Sequence, residues 1–261
     1  GNGDFRHVDT LVLDEADRMF DMGFLPSVKR IISMLPAKRQ TVLFSATFPR
    51  EVEELASSVL YQPKRVSVSI NRAASTVSHA LYPVPQHLKT NLLVELIKKH
   101  NPFSLLVFTR TKHKADRVAG QLTRLGFESA ALHSDRTQNQ RQRALEGFKK
   151  GKYQVLVATD IAARGLDIET VSHVINYDIP ASPDDYIHRI GRTGRAEREG
   201  DAFTLITPED HQMVRDIERT LGKSIARQKL EGFNYSEPPK PALPQTDMPI
   251  RELHSPRPSA R

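Results

Sequence analysis

The sequence contains no cysteine, which excludes a disulfide framework and any thiolate metal centre. Its ten histidines never form H-E-x-x-H, so the helical zinc signature is absent as well. No apolar run approaches the roughly 20 residues needed to cross a bilayer, and the opening GNGDFRHVDT lacks the apolar stretch of a secretion signal. These absences predict a cytoplasmic protein with no membrane partner.

What is present suits one large or two ordinary domains: 261 residues, 38% of them hydrophobic. The formal charge of +7 suits a polyanionic partner, although many proteins that bind none carry a similar charge. Basic and acidic residues number 10 and 9 in residues 1–85, 24 and 18 in 86–230, and 4 and 4 in 231–261. The surplus therefore sits in the middle segment.

Along the chain, the apolar run from Val8 to Leu13 reads as a buried strand that ends in Asp14-Glu15-Ala16-Asp17. A helix follows with Pro26 near its start, then the strand QTVLF, Ser45-Ala46-Thr47, and a helix from about Pro49 to Leu60. Residues 69–85 show neither helical periodicity nor a long apolar run and read as a linker. Strands then alternate with helices from Leu88 to Leu221, which predicts an α/β fold with a doubly wound parallel sheet. Seven prolines in 231–261 predict a disordered tail that folding does not need. Two strands and two helices do not cover both faces of a parallel sheet, so part of the first domain is expected to be missing.

Three segments carry candidate chemistry. DEAD at a strand end offers hard carboxylate oxygens that suit magnesium, although an acidic surface turn has the same composition. ATDIAARGLDI, from Ala158 to Ile168, combines a hydroxyl, two aspartates, an arginine and a glycine just past a strand. HRIGRTGR, from His188 to Arg195, sets ionisable groups around Gly191 and Gly194, so flexible backbone and planar guanidinium forks converge.

The order and spacing of these segments resemble the motif series of the DEAD-box ATP-dependent RNA helicases, from the first strand to about residue 225. The bacterial RhlE-type members look most similar. The resemblance implies the end of one RecA-like domain (1–68), a linker (69–85), one complete RecA-like domain (86–230) and a tail (231–261). It implies ATP and Mg2+ as cofactors and RNA as partner. By the same resemblance Asp14 holds magnesium, Glu15 positions and deprotonates the attacking water, and Arg192 and Arg195 reach the γ-phosphate. Asp167 matches the residue that contacts the ATP ribose, while Asp17, Ser45, Thr47 and His188 match those that couple the domains. Thr109, Arg110, Gln138, Arg141, Thr159 and Gly165 match positions that touch the RNA backbone, contacts that position RNA without reading its sequence.

Two departures from the family pattern stand out. Ser134 follows His133 where many members carry glycine. Nowhere in these residues is there G-x-x-x-x-G-K-[ST], the backbone cradle for ATP phosphates. An N-terminal P-loop segment is therefore expected as a missing partner. The enzymatic reading is ATP-driven unwinding of RNA duplexes; its alternative is a non-hydrolysing module that grips RNA or a partner.

Overall fold

The structure is a computed structural model that describes residues 4–21, 23–67, 77–163, 171–194 and 200–239. The described chain divides into two compact units, one within residues 4–67 and one within 77–239. In the first, β1 (Thr10–Leu13) and β2 (Gln40–Leu43) pair in parallel, with Leu13 opposite Leu43. Around them lie α1 (Ala16–Asp21), α2 (Leu25–Ile32), which takes Pro26 in its first turn, and α3 (Arg50–Val59). Leu13, Ala16, Val52 and Leu55 are its buried apolar side chains, whereas α2 buries none and Val12, Met34 and Phe44 stay at least half exposed.

The second unit is a sheet of seven parallel strands in the order β5-β6-β4-β7-β8-β3-β9. Its strands are β3 (Val77–Pro83), β4 (Leu105–Phe108), β5 (Ser129–Leu132), β6 (Val155–Ala158), β7 (His173–Asn176), β8 (Gly200–Ile206) and β9 (Ala226–Arg227). The strand period of two splits every apolar run between two cores. Leu106, Phe108, Leu156 and Ala158 enter one core, and Leu105, Val107, Val155 and Val157 enter the other.

Helices close both faces, as a parallel sheet requires. On one side α4 (Lys89–His100) contributes Leu92, Leu93 and Leu96, and α5 (Lys112–Arg124) contributes Val118 and Leu122. On the other lie α6 (Gln138–Lys149) with Leu145 and Phe148, α8 (Pro183–Ile190) with Tyr186, and α9 (His211–Leu221) with Val214 and Ile217. The short α7 (Asp160–Ala163) directly follows β6. The doubly wound α/β architecture read from the alternation is the one observed.

Two boundaries need correction. Residues 77–83, expected in the linker 69–85, form β3 and pair along their whole length with β8; residues 69–76 lie outside the described residues. His79, Pro83 and Pro85 mask this strand in the sequence, and Pro83 is tolerated because it closes the strand. At the other end, residues 231–239, expected in a disordered tail, pack on the second unit. Phe233 and Tyr235 lie against its core, and the Leu230 amide donates to the Tyr235 hydroxyl at 2.8 Å. Proline content hid two aromatic anchors there.

Candidate functional site

In the first unit the DEAD turn begins where β1 ends. Glu15 has φ +52°, a left-handed conformation that costs a non-glycine residue about 1–2 kcal/mol. Its amide donates to Asp14 Oδ1 at 2.9 Å, and its carbonyl accepts from the Arg18 and Met19 amides that start α1. The bend leaves Asp14 exposed and Glu15 half-buried, side by side beyond the strand.

Asp17 lies on α1 and is nearly enclosed, with 7% exposure. Its Oδ2 accepts from both the amide and the hydroxyl of Thr47 at 2.9 Å, and its Oδ1 accepts from the Arg18 amide at 3.0 Å. Ser45 completes the link, accepting from the Asp17 amide at 3.1 Å and donating to the Thr47 carbonyl at 2.6 Å. Burial pushes the Asp17 carboxyl up, but the Thr47 and Arg18 donors and the Arg18 charge outweigh it, so the pKa falls below the ordinary carboxylate value. The structure thus brings Asp17, Ser45 and Thr47 together as one lock between DEAD and SAT.

In the second unit β6, β4 and β7 are neighbours, so their C-terminal ends set Thr159 and Asp160, Thr109 and Arg110, and Tyr177 and Asp178 along one edge. Open α/β sheets place ligands at this edge. Arg110 is exposed, its amide donates to Asp178 Oδ2 at 2.9 Å, and its guanidinium contacts the Ile179 carbonyl at 3.4 Å. Thr109 is fully buried, and its hydroxyl donates at 3.3 Å to the Thr111 carbonyl, so as it stands the group faces inward. Thr159 is half-buried and its carbonyl accepts from the Ala162 and Ala163 amides, which ties it to α7.

Gln138 and Arg141 share the first turn of α6, which Thr137 and Gln140 cap reciprocally. Arg141 donates to Gln138 at 3.3 Å, while its Nε is buried without a hydrogen-bond partner. Ser134 is exposed, so the residue that replaces the family's glycine faces outward, next to a buried His133 whose Nε2 meets Asp116 at 2.9 Å.

HRIGRTGR runs off the end of α8, which Ser182 caps and Pro183 begins. His188 and Arg192 are half-buried. Gly194 needs its residue type, because φ is +70° there. Gly200 meets the same turn: a Cβ on it would lie 2.0 Å from Thr193 Oγ1 and 2.4 Å from the Gly194 nitrogen. Arg195, Gly165 and Asp167 lie outside the described residues.

Six residues that the sequence reading left without a role hold this edge together. Arg189, 3% exposed, makes a two-pronged ion pair with Asp160 at 2.6 and 2.7 Å and also donates to Asn176 Oδ1 at 3.1 Å and the Asp178 carbonyl at 2.8 Å. Asp178 in turn receives Lys114 at 2.8 Å. Lys89 is buried against the Tyr177 carbonyl at 3.0 Å; burial pulls its pKa down while Asp178 and Asp210 pull it up, and burial prevails. The signal for Asp178 was available: an acidic residue just after the strand-like segment HVINY is the pattern that drew notice to Asp14. Arg189 and Asp160 stood inside quoted motifs, but nothing in sequence pairs residues 29 positions apart.

The doubly wound parallel sheet of the second unit is that of the RecA-like α/β class. A profile described as "DEAD/DEAH box helicase" matches residues 1–55, and one described as "Helicase conserved C-terminal domain" matches residues 88–197. The chain is 42% identical over 224 residues to the DEAD-box ATP-dependent RNA helicase CshA of Bacillus subtilis, covering 85% of this chain and 45% of that protein. It is also 42% identical over 228 residues to the ATP-dependent rRNA helicase RRP3 of Candida glabrata, covering 87% and 46%. Among solved structures, S. cerevisiae Dbp5 bound to RNA and ADP BeF3 is similar at TM-score 0.78 and 33% identity, covering 87% of this chain and 61% of that one. E. coli DEAD-box protein SrmB bound to regulator of ribonuclease activity A is similar at TM-score 0.58 and 34% identity, covering 63% and 97%. The chain belongs to the DEAD-box family of ATP-dependent RNA helicases. It spans about half the length of the curated relatives it matches. The likeness establishes the family and not the RhlE-type subgroup.

Proposed function

We propose that this chain is part of an ATP-dependent RNA helicase that couples ATP hydrolysis to local unwinding of RNA duplexes. The observation that carries the reading is Glu15, held in a strained left-handed turn beside Asp14 at the end of β1. Strain of this kind persists where the surroundings over-determine it, and it concentrates at catalytic sites. Phosphoryl transfer needs a neutralising metal, an oriented water and positive charge on the transition state, with little covalent help.

The donor set fits magnesium, which favours one or two carboxylates and leaves its other positions to water and phosphate. Asp14 and Glu15 would hold the ion, largely through water, and bound magnesium supplies charge neutralisation at the phosphates. Glu15 orients the attacking water and takes its proton. Arg192 and Arg195 bring positive charge, Asp167 meets the ribose, and Asp17, Ser45, Thr47 and His188 couple nucleotide state to RNA state.

The residues present do not fit the phosphates themselves, because no G-x-x-x-x-G-K-[ST] occurs among them. No hydrolytic step is assigned to this chain alone. The P-loop is supplied in this proposal by polypeptide beyond these residues, and the exposed Val12, Met34 and Phe44 support such a covering. A cytoplasmic setting belongs to the same proposal; among the described residues no helix is long and apolar enough to cross a membrane.

RNA is gripped through phosphates by Arg110, Gln138, Arg141 and Thr159, with Gly165 and the Thr109 turn beside them. The exposed Arg110 and Gln138 support this. Titrating labelled single-stranded RNAs of several sequences at several salt concentrations tests it. Affinity should fall linearly on a log–log plot, equally for all sequences, and Arg110→Ala should shallow the slope by about one unit or less. Salt-insensitive binding, or strong preference for one sequence, would reject the backbone grip. A second reading, a binding module that never hydrolyses ATP, is favoured by the complete two-faced core of the second unit in a chain that lacks the phosphate cradle.

A further inference from the structure

A groove of about 490 Å³ opens where β3 and β8 end, walled by Pro83, Pro85, Ile206, Pro208 and Tyr235. None of these belongs to the candidate site. Three observations indicate what covers it.

The described chain runs along its rim. Tyr235 is pinned by the Leu230 amide at 2.8 Å and stacks edge-on against Phe233, with ring centroids 4.8 Å apart. The Glu237 carbonyl accepts from His87 Nε2 at 2.7 Å, and the neighbouring Gln86 lines the groove. The main chain is therefore tied down beside the groove just before Pro239, the last described residue.

The sequence then continues Lys240-Pro241-Ala242-Leu243-Pro244, an apolar quartet that begins two positions past Pro239. Leu243 lies four residues beyond Pro239, within a reach of about 14 Å at the extended rise of the chain. A tether this short gives an effective concentration in the millimolar range, so even a weak site is filled.

The chemistry of the two surfaces matches. Pro241 and Pro244 have fixed φ, and Pro244 biases the preceding Leu243 away from the helical region, which leaves less entropy to lose on docking. Extended proline-bounded segments dock in grooves with apolar and aromatic walls, and Tyr235 with the three prolines provides such walls. We propose that residues Pro241–Pro244 of the same chain occupy this groove, making it an intramolecular seat for the C-terminal segment.

The probe is a fluorescein-labelled peptide of residues 240–250, titrated by anisotropy into the full chain and into a chain ending at Pro239. The shortened chain should bind it saturably, the full chain at least tenfold more weakly, and the shortened chain carrying Pro208→Arg not at all. Pro208 is exposed, so this variant should keep the parent's melting curve. Because the protein has no cysteine, Gln86→Cys with Leu243→Cys also gives a clean pair for a short bismaleimide. Its cross-link should form within one chain at a yield independent of protein concentration. Equal affinity of the peptide for both chains would overturn the proposal. So would failure to bind the shortened chain, which would assign the groove to an outside partner, or cross-links that join only separate copies.

Discussion

The two units place their chemistry on the same element, the turn after a parallel strand, but support it differently. In the second unit every residue of β4 and β6 is buried and both sheet faces are covered, so Arg110 and Asp160 stand on a rigid base. In the first, Leu13 is the buried residue of β1, and the strained Glu15 is held mainly by hydrogen bonds around Asp14, Asp17 and Thr47. The acidic turn of the first unit rests on polar ties, whereas the strand-end edge of the second stands on a fully buried sheet.

The largest expected effect follows directly. A fragment of residues 77–239 should fold alone and melt cooperatively, and a fragment of residues 4–67 should show no cooperative transition. Circular dichroism melts of both would check it, and a sharp transition in the smaller fragment would erase the contrast.

Single substitutions should sharpen it. Arg189→Ala leaves Asp160 and Asn176 without their buried partner and should lower the stability of the second unit by about 3 kcal/mol. Leu106→Ala, at 0% exposure in a central strand, should lose a similar amount, about 2–5 kcal/mol. Val12→Ala in β1, at 55% exposure, should change stability by less than about 0.5 kcal/mol. Urea titrations measure all three. Relative to a chain ending at Pro239, ending it after Leu230 removes the Phe233 and Tyr235 packing and should lower stability by about 1–2 kcal/mol.

The smallest effect is a pH response confined to the second unit. Burial pulls the pKa of His79, His100 and His173 below the ordinary value near 6.5; Lys223 adds to this at His79, while Asp201 opposes it at the other two. A histidine held neutral in the fold adds no penalty above pH 6.5. Below it the unfolded chain takes up protons first, so stability falls as pH drops from 6.5 toward the folded pKa values. Melting midpoints of the 77–239 fragment between pH 7.5 and 5.5 should show this decline, and His100→Gln should reduce it.

Much of the second unit was legible because LLVF and VLVA are short unbroken apolar runs, the mark of strands buried on both faces. β3 escaped because its pairing with β8 lies more than 100 residues away, while its own prolines and histidine suggest a linker. The DEAD and HRIGRTGR segments were readable as turns, since spacing reveals which residues share a turn. Spacing does not reveal that Asp17 closes on Thr47 or that Arg189 closes on Asp160, because those contacts depend on how strands are ordered in the sheet.

The proposed function rests on one claim, that these residues supply the water-activating turn of an ATPase and not its phosphate cradle. The most direct test is RNA-stimulated phosphate release by the chain alone and by the same chain preceded by a P-loop strand, loop and helix from a family member. The first should give no release above background. The second should turn over, and should lose that turnover with Glu15→Gln while still binding ATP. Release by the chain alone, or turnover that survives Glu15→Gln, would contradict the account.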